Sequence, residues 1–259
     1  MTRITIDSNL WEQIVHPNVF PKPPSKHAQL LAVHNALKIG QFTGFICESV
    51  VTLEGLKKSD RPTFMTTQTM RPRTIETGDP ESKITVFAPD QSARPNLMPV
   101  LTDRLKDAVA LGIRVIELPY YKELSLPPGF LMEMSDAFVD RFGPIAHAIE
   151  QRGVGRAVLM KLGRELAQRD GGSHTYFVGA LPQVKNLTNQ DGNRIKLAVA
   201  EAADGDAVAA HIAVGNDYFV SHDRGKGAKI SILDEGNRAW LTSAFGVKFL
   251  TLSELSALI

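Results

Sequence analysis

The chain has 259 residues, of which 43% are hydrophobic, 29 are basic and 28 are acidic, leaving a formal net charge of +1. That is enough apolar material for one large domain or two small ones, and the charge balance neither advertises nor excludes a nucleic-acid partner, whose footprint is often a local patch. The single cysteine, Cys47, excludes an internal disulfide and a cysteine-rich zinc site. The N-terminus has no apolar leader core and no window approaches eighteen apolar residues, so the expectation is a soluble, non-membrane, cytoplasmic protein.

Taken in order, ITI (4–6) is a short β-branched strand that ends on Asp7. Ser8 or Asn9 is placed to cap a helix starting near Leu10, with Trp11, Ile14 and Val15 at helical spacing. HPNVFPKPPSKH is too rich in proline to be continuous helix, and AQLLAVHNALKIG is a second helix closed by Gly40. FTGFICESVV is an apolar run that predicts a second strand and passes into TLEGLKKSDR, which looks helical. Residues 60–82 are polar, Thr-rich and broken by Pro and Gly, and predict a long loop. KITVFAP is a strand, LMPVLTDRLKDAVALG an amphipathic helix, and IRVIELPYY a continuous apolar run suited to a buried parallel strand.

Two helices follow, over 133–152 and 155–169, joined at a G-V-G turn that lacks the third glycine and preceding strand of a dinucleotide fingerprint. NRIKLAVAEAA and DAVAAHIAVG are helical, DYFVS is a strand, SILDEGNRAWLTSAFG a helix, VKFLT a strand, and SELSALI a last helix capped by Ser253. Alternating helices and buried strands predict an α/β fold, a three-layer α/β/α arrangement around a mainly parallel sheet.

Parallel sheets place their chemistry where loops leave the carboxyl ends of the strands. Sorting the acids by that rule selects Asp7 after the first strand, Glu48 and Glu54 after the second, Asp206 opening a small-residue helix, and Asp223 after YFVS. Carboxylates gathered without matching cations repel one another unless a cation or shared protons relieve them. Oxygen-only donors suit hard ions such as Mg²⁺ or Mn²⁺, and such a site can bind phosphate oxygens and activate water for in-line attack. No HxxxH, CxxC or P-loop pattern competes with that reading.

These segments resemble the PIN-domain family of nucleases, found in toxins of toxin–antitoxin pairs and in RNA-processing enzymes. I-D-S-N-L is similar to the family's opening strand, DAVAAHIAVGNDYFVSHDRG to its third and fourth motifs, and GVKFLTLSEL to its closing strand and helix. The resemblance implies a metal-dependent endoribonuclease with Asp7, Asp206 and Asp223 as ligands and Ser221 and Asn9 in support. Glu54, in Val51-Thr52-Leu53-Glu54, fits the family's second acid, with Glu48 as the rival. It also implies an RNA substrate, and a homodimer or an antitoxin-like protein as further partners. The family core maps to 1–60 and 186–259 of a single domain, with residues of about 61–185 as an inserted region.

Simpler readings stand beside these. A strand-end Asp is commonly a turn former or helix cap, and Asp206 or Asp204 can serve as a cap. Asp217 terminates a turn, strand alternation aims His222 away from Ser221 and Asp223, and His211 on an Ala-rich helix is packed. Cys47 is expected to be buried. Arg224 and Lys226 are placed to flank the acids and hold substrate phosphate, as are Arg71 and Arg73 from the long loop, where the alternative is a solvated face. The alternative function is a catalytically inactive PIN-like module that binds RNA or protein. A phosphatase of the haloacid-dehalogenase type fits less well, because its second aspartate falls on Asn9.

Overall fold

The computed structural model describes residues 1–19, 22–55, 70–76, 83–89, 99–118, 131–132, 135–169, 187–225 and 230–259, with 52–55, 70–76 and 83–89 described by their backbone. The opening ITI run is the second half of β1 (Thr2–Ile6), and it is followed without a loop by α1 (Ser8–Val15). Then come α2 (Pro24–Lys38), β2 (Phe42–Cys47) and α3 (Glu48–Gly55). The centre of the chain contributes β3 (Met70–Glu76), β4 (Lys83–Pro89), α4 (Pro99–Ala110), β5 (Ile113–Ile116), β6 (Leu131–Met132), α5 (Asp136–Gln151) and α6 (Arg156–Arg169). The last third contains α7 (Asn189–Val214), β7 (Tyr218–Val220), α8 (Glu235–Phe245), β8 (Phe249–Leu250) and α9 (Leu252–Ser256).

Six strands form one sheet in the order β6-β5-β2-β1-β7-β8, and every pairing in it is parallel. Helices cover both faces, so the three-layer α/β/α arrangement is the fold. Alternation along β1 shows how the layers form: Ile6 turns toward Leu37 of α2 beside Gly44, while Thr5 turns toward His211 of α7. Gly44 is the only residue type that fits there, since a Cβ would lie 2.8 Å from Ile113 and 3.2 Å from Leu37. One core cluster runs from Ile4 and Trp11 through Ile46 and Ile113 to Leu255, and a smaller one joins α6 to the first half of α7 through Leu162, Leu166 and Ile195. The sheet draws β5 and β6 from within 61–185, and β5 pairs directly with β2, so the segment expected to be an insertion shares the core with the chain ends. No helix among the described residues is long and apolar enough to cross a membrane.

Several local expectations are corrected. The loop predicted over 60–82 contains β3, paired antiparallel with β4 as a separate two-stranded sheet. Pro72 reads as a breaker in sequence, but both strands of a two-stranded ribbon are edges, where a missing N–H is tolerated. β6, two residues long, is too short to leave a periodic signature. Asp7, not Ser8 or Asn9, caps α1, and Thr251, not Ser253, caps α9 through a reciprocal box with Glu254. NRIKLAVAEAA and DAVAAHIAVG are one unbroken helix, α7, capped by Thr188 and closed by Gly215 at φ 73°. The G-V-G turn is as expected, with Gly153 and Gly155 both at positive φ between α5 and α6.

Candidate functional site

The strand order reverses direction between β1 and β7: β2 and β5 lie to one side of β1, β7 and β8 to the other. The crevice at the carboxyl ends of such a pair is where α/β sheets receive ligands. Asp7 leaves β1 at that point and Ser221 leaves β7, and the two strands remain tied there by the Asp7 N–H donating to the Val220 carbonyl at 3.0 Å.

Asp7 is 1% exposed and its carboxylate is fixed by three donors. The Ser8 N–H donates to Oδ1 at 2.7 Å, and the Asn9 amide and the Ser221 hydroxyl donate to Oδ2 at 2.8 and 2.5 Å. Ser221 Oγ in turn accepts from the Asp223 N–H at 2.9 Å, so the hydroxyl links the first carboxylate to the backbone of the second. The Asp223 side chain is exposed, and its Oδ1 accepts from the Gly225 N–H at 2.8 Å. Asn9 reaches the same loop, its Oδ1 accepting from the His222 N–H at 3.4 Å. Asp7, Asn9, Ser221 and Asp223 are therefore brought together, as the sequence places them.

Asp206 is not part of that group. It lies inside α7, 2% exposed, and receives two hydrogen bonds from Arg156, Nε to Oδ1 at 2.6 Å and Nη2 to Oδ2 at 2.8 Å. Its carboxyl is still held above its ordinary range, because burial outweighs the attraction of Arg156. The pair sits under the glycine turn, where Gly205 comes so close to Gly155 that a Cβ on it would lie 2.7 Å from the Gly155 Cα. The expected capping or ligand position is thus an internal ion pair, and the reason is the continuity of α7, which leaves no helix start at that point.

Asp204 takes the place that sequence gave to Asp206. It is partly exposed on α7, and its carboxyl is raised well above the ordinary carboxylate value by burial, then by Asp7, Glu201 and Asp223. Asp7 is raised as well, first by burial and also by Asp223, against the lowering effect of its hydrogen bonds to Ser221, Ser8 and Asn9. Asp7, Asp204 and Asp223 consequently share one electrostatic field. Glu201, one turn earlier, is committed elsewhere: its Oε1 accepts from the Gly155 and Ile232 N–H groups, both at 2.8 Å. The D-G-D spacing was the available signal, since residues two apart on a helix point about 200° from each other and only one of the pair can face the sheet edge.

Glu48 opens α3 fully buried, and its Oε2 accepts from the Leu118 N–H at 2.8 Å, across β2 toward the β5 side. Glu54 lies on α3, with its side chain outside the described residues. Arg71 and Arg73 fall on β3 with side chains likewise outside them, and Lys226 is wholly outside. Cys47 is buried, and desolvation followed by Asp206 pushes its thiol up to about 12, which removes it as a nucleophile. His211 is buried against Phe219 and joined through Nδ1 to Thr5 Oγ1 at 2.9 Å. Because Thr5 Oγ1 accepts from Asn216 at 2.8 Å, its proton is available to His211, and the ring is a neutral packing group held at about 4 by burial.

Cations flank the acids on two sides. Lys22 and Lys26, before and within the first turn of α2, stand close enough to His222 to lower its pKa after partial burial does so. Arg224 and Arg238 lie on the other side, where Arg238 also feels Asp7 and Asp223. For a metal ion, the donor set of carboxylate oxygens around a serine and an asparagine fits Mg²⁺ or Mn²⁺ rather than zinc. Among the described residues no three acidic, histidine or cysteine side chains already stand at ligand spacing. No family model, no curated protein and no solved structure matches the chain.

Proposed function

We propose that this protein is a PIN-like, metal-dependent nuclease that hydrolyses phosphodiester bonds in RNA. The observation that carries the reading is the hydrogen-bonded link at the β1–β7 crevice from the Asp7 carboxylate through Ser221 Oγ to the backbone of Asp223, with Asp204 close enough for Asp7 and Asp223 to raise its carboxyl. Like charges held together in this way store repulsion that a divalent cation relieves. Asp7, Asp204 and Asp223 would hold Mg²⁺ or Mn²⁺, with Glu48 or Glu54 from the neighbouring strand end as the further acid, and the ion would supply Lewis-acid activation of water and phosphate.

The chain's own residues do the positioning. Ser221 and Asn9 hold the Asp7 carboxylate in one orientation, which leaves the ligand geometry independent of solvent. Lys22 and Lys26 supply the phosphate contacts on which affinity for a nucleic-acid backbone depends. The test is cleavage of a labelled single-stranded RNA by the full chain with Mn²⁺, with EDTA, and with Asp7→Asn. Cleavage lost in EDTA and in Asp7→Asn, with folding intact, supports the reading. Cleavage that survives either treatment refutes it. The alternative of an inactive binding module is favoured by the three hydrogen bonds already made to Asp7, and it predicts salt-sensitive RNA binding with no cleavage at any Mn²⁺ concentration.

A further inference from the structure

Beside the acids, at the carboxyl end of β8, lies a cavity of about 390 Å³ lined by Arg224, Glu235, Arg238, Phe249, Thr251 and Glu254. Its volume falls at the low end of the roughly 300–1,000 Å³ range of small-ligand pockets, the scale of a single nucleotide rather than of a folded partner. Two arginines in one such space repel each other, and Arg238 is indeed lowered first by burial and then by Arg224.

The carboxylates around the two arginines act on them through space, without a contact ion pair. Glu254 Oε2 accepts from the Thr251 N–H at 2.7 Å and from Thr251 Oγ1 at 2.8 Å, and those hydrogen bonds, followed by the charges of Arg224 and Arg238, hold its carboxyl below the usual range. Glu235 is exposed in the first turn of α8. Among the described residues neither carboxylate stands at ion-pair distance from either arginine.

Arg238 is held in place by contacts that carry no charge. Its Nε donates to the Leu233 carbonyl at 2.8 Å, an Nη2 hydrogen goes to the Asp223 carbonyl, and its guanidinium lies 4.5 Å above the Phe249 ring. These partners are carbonyls and a π face, so the positive charge remains, and the other N–H donors have no partner among the described residues. Arg224 is exposed and makes no hydrogen bond or ion pair with any described residue. A fixed guanidinium beside an unengaged one, in a cavity next to a carboxylate cluster, is a receptor for a planar or tetrahedral oxyanion.

From this juxtaposition we infer that the cavity is a single-nucleotide phosphate subsite, in which Arg224 and Arg238 hold the phosphate adjacent to the one at the acids. The inference deepens the nuclease reading by locating the neighbouring nucleotide of the strand, but binding at the subsite needs no metal. Arg238 also couples the two places, because the same side chain that meets the phosphate donates to the backbone of Asp223.

The experiment is fluorescence anisotropy of a labelled single-stranded RNA with the full chain in EDTA, with uridine, uridine monophosphate and inorganic phosphate as competitors. Uridine monophosphate is expected to displace the RNA, inorganic phosphate to do so more weakly, and uridine not at all. Arg224→Ala, which removes an exposed side chain with no hydrogen bond or ion pair to a described residue and is expected to leave the thermal midpoint unchanged, should weaken binding roughly tenfold or more, the scale of a lost charge-assisted hydrogen bond. Arg224→Glu should weaken it further, and Glu235→Gln should match or exceed the parent. Equal binding by parent, Arg224→Ala and Arg224→Glu overturns the inference, as does competition by uridine equal to that by its monophosphate, or no binding by the parent. Arg224-dependent binding of uridine monophosphate by a chain that never cleaves leaves this subsite standing and removes the nuclease reading alone. Mn²⁺-dependent cleavage with an unchanged KM in Arg224→Glu does the reverse.

Discussion

Asp206 and Asp204 are two residues apart on α7, and a substitution at each should have opposite consequences. Asp206→Asn keeps the size of the side chain and removes its charge, so the guanidinium of Arg156, only 4% exposed, loses the carboxylate that meets it with two hydrogen bonds. Both hydrogen bonds of the pair were charge-assisted on both sides, and the amide can accept only one of them while presenting an N–H toward the other donor. Removing one partner of a buried pair typically costs about 3–5 kcal/mol, because the remaining charge stays desolvated. For a chain of this size each kcal/mol lowers the thermal midpoint by about 2–4 °C, so the expected loss is roughly 6–20 °C. Differential scanning calorimetry with EDTA present measures it without interference from bound ions. Arg156→Met combined with Asp206→Leu should recover much of the loss, since the pair is replaced by apolar groups. If Asp206→Asn melts within 2 °C of the parent, a limit set at about 1 kcal/mol, the ion pair is not what holds α6 against α7.

Asp204→Asn should melt at or above the parent temperature in EDTA at pH 8, because it removes a carboxylate raised by burial and by Asp7; the same variant should lose the stabilisation that Mn²⁺ gives the parent, and a Mn²⁺-induced shift that survives would exclude Asp204 as a ligand. His211 has a folded pKa of about 4 against an ordinary 6.5, so the unfolded chain takes up its proton first as pH falls. Its stabilising contribution is therefore full above about pH 6.5 and is lost on the way down to about 4, on the order of 3 kcal/mol in total. Urea titrations at pH 7 and pH 4.5 should show that limb in the parent and a flatter one in His211→Gln, and identical slopes would show that the ring is not buried neutral.

The elements that sequence located best were those in which local and long-range forces agree. β1, β2 and β7 are apolar runs flanked by polar turns, and the helices over 136–151 and 156–169 carry apolar stripes, so periodicity alone finds them. Asp7, Asn9, Ser221 and Asp223 were legible because each follows directly on a strand end, where position in the chain fixes position in space. The failures lie where tertiary context decides. Asp206 was expected to open a helix, yet α7 runs unbroken through it, and Gly205 beside it serves the close approach of Gly155. Nothing local to D-G-D says that the counter-charge for one aspartate is Arg156, fifty positions upstream. Arg238 was overlooked for the same reason: nothing local marks the one basic residue of α8, and only the packing of β8 brings it over Phe249 and beside Asp223.

The two aspartates of α7 divide the labour of the helix between its faces. A 26-residue helix can roll about its axis, and a roll of one residue's worth, about 100°, would carry Asp204 away from the strand ends. Three contacts oppose that rotation: the Asp206–Arg156 pair, the Gly205–Gly155 approach, and Glu201 accepting from the Gly155 and Ile232 N–H groups. All three converge on the turn between α5 and α6, so the orientation of Asp204 is set by contacts that never touch Asp7. Holding a carboxylate in a repulsive field requires such support, because the local forces on Asp204, burial and the charges of Asp7 and Asp223, all act to push it out. On this account Asp206 is a positioning residue for its neighbour. The segment that contributes Arg156, although it falls in the region inserted relative to the resembled family core, is part of the machinery that holds the acids together.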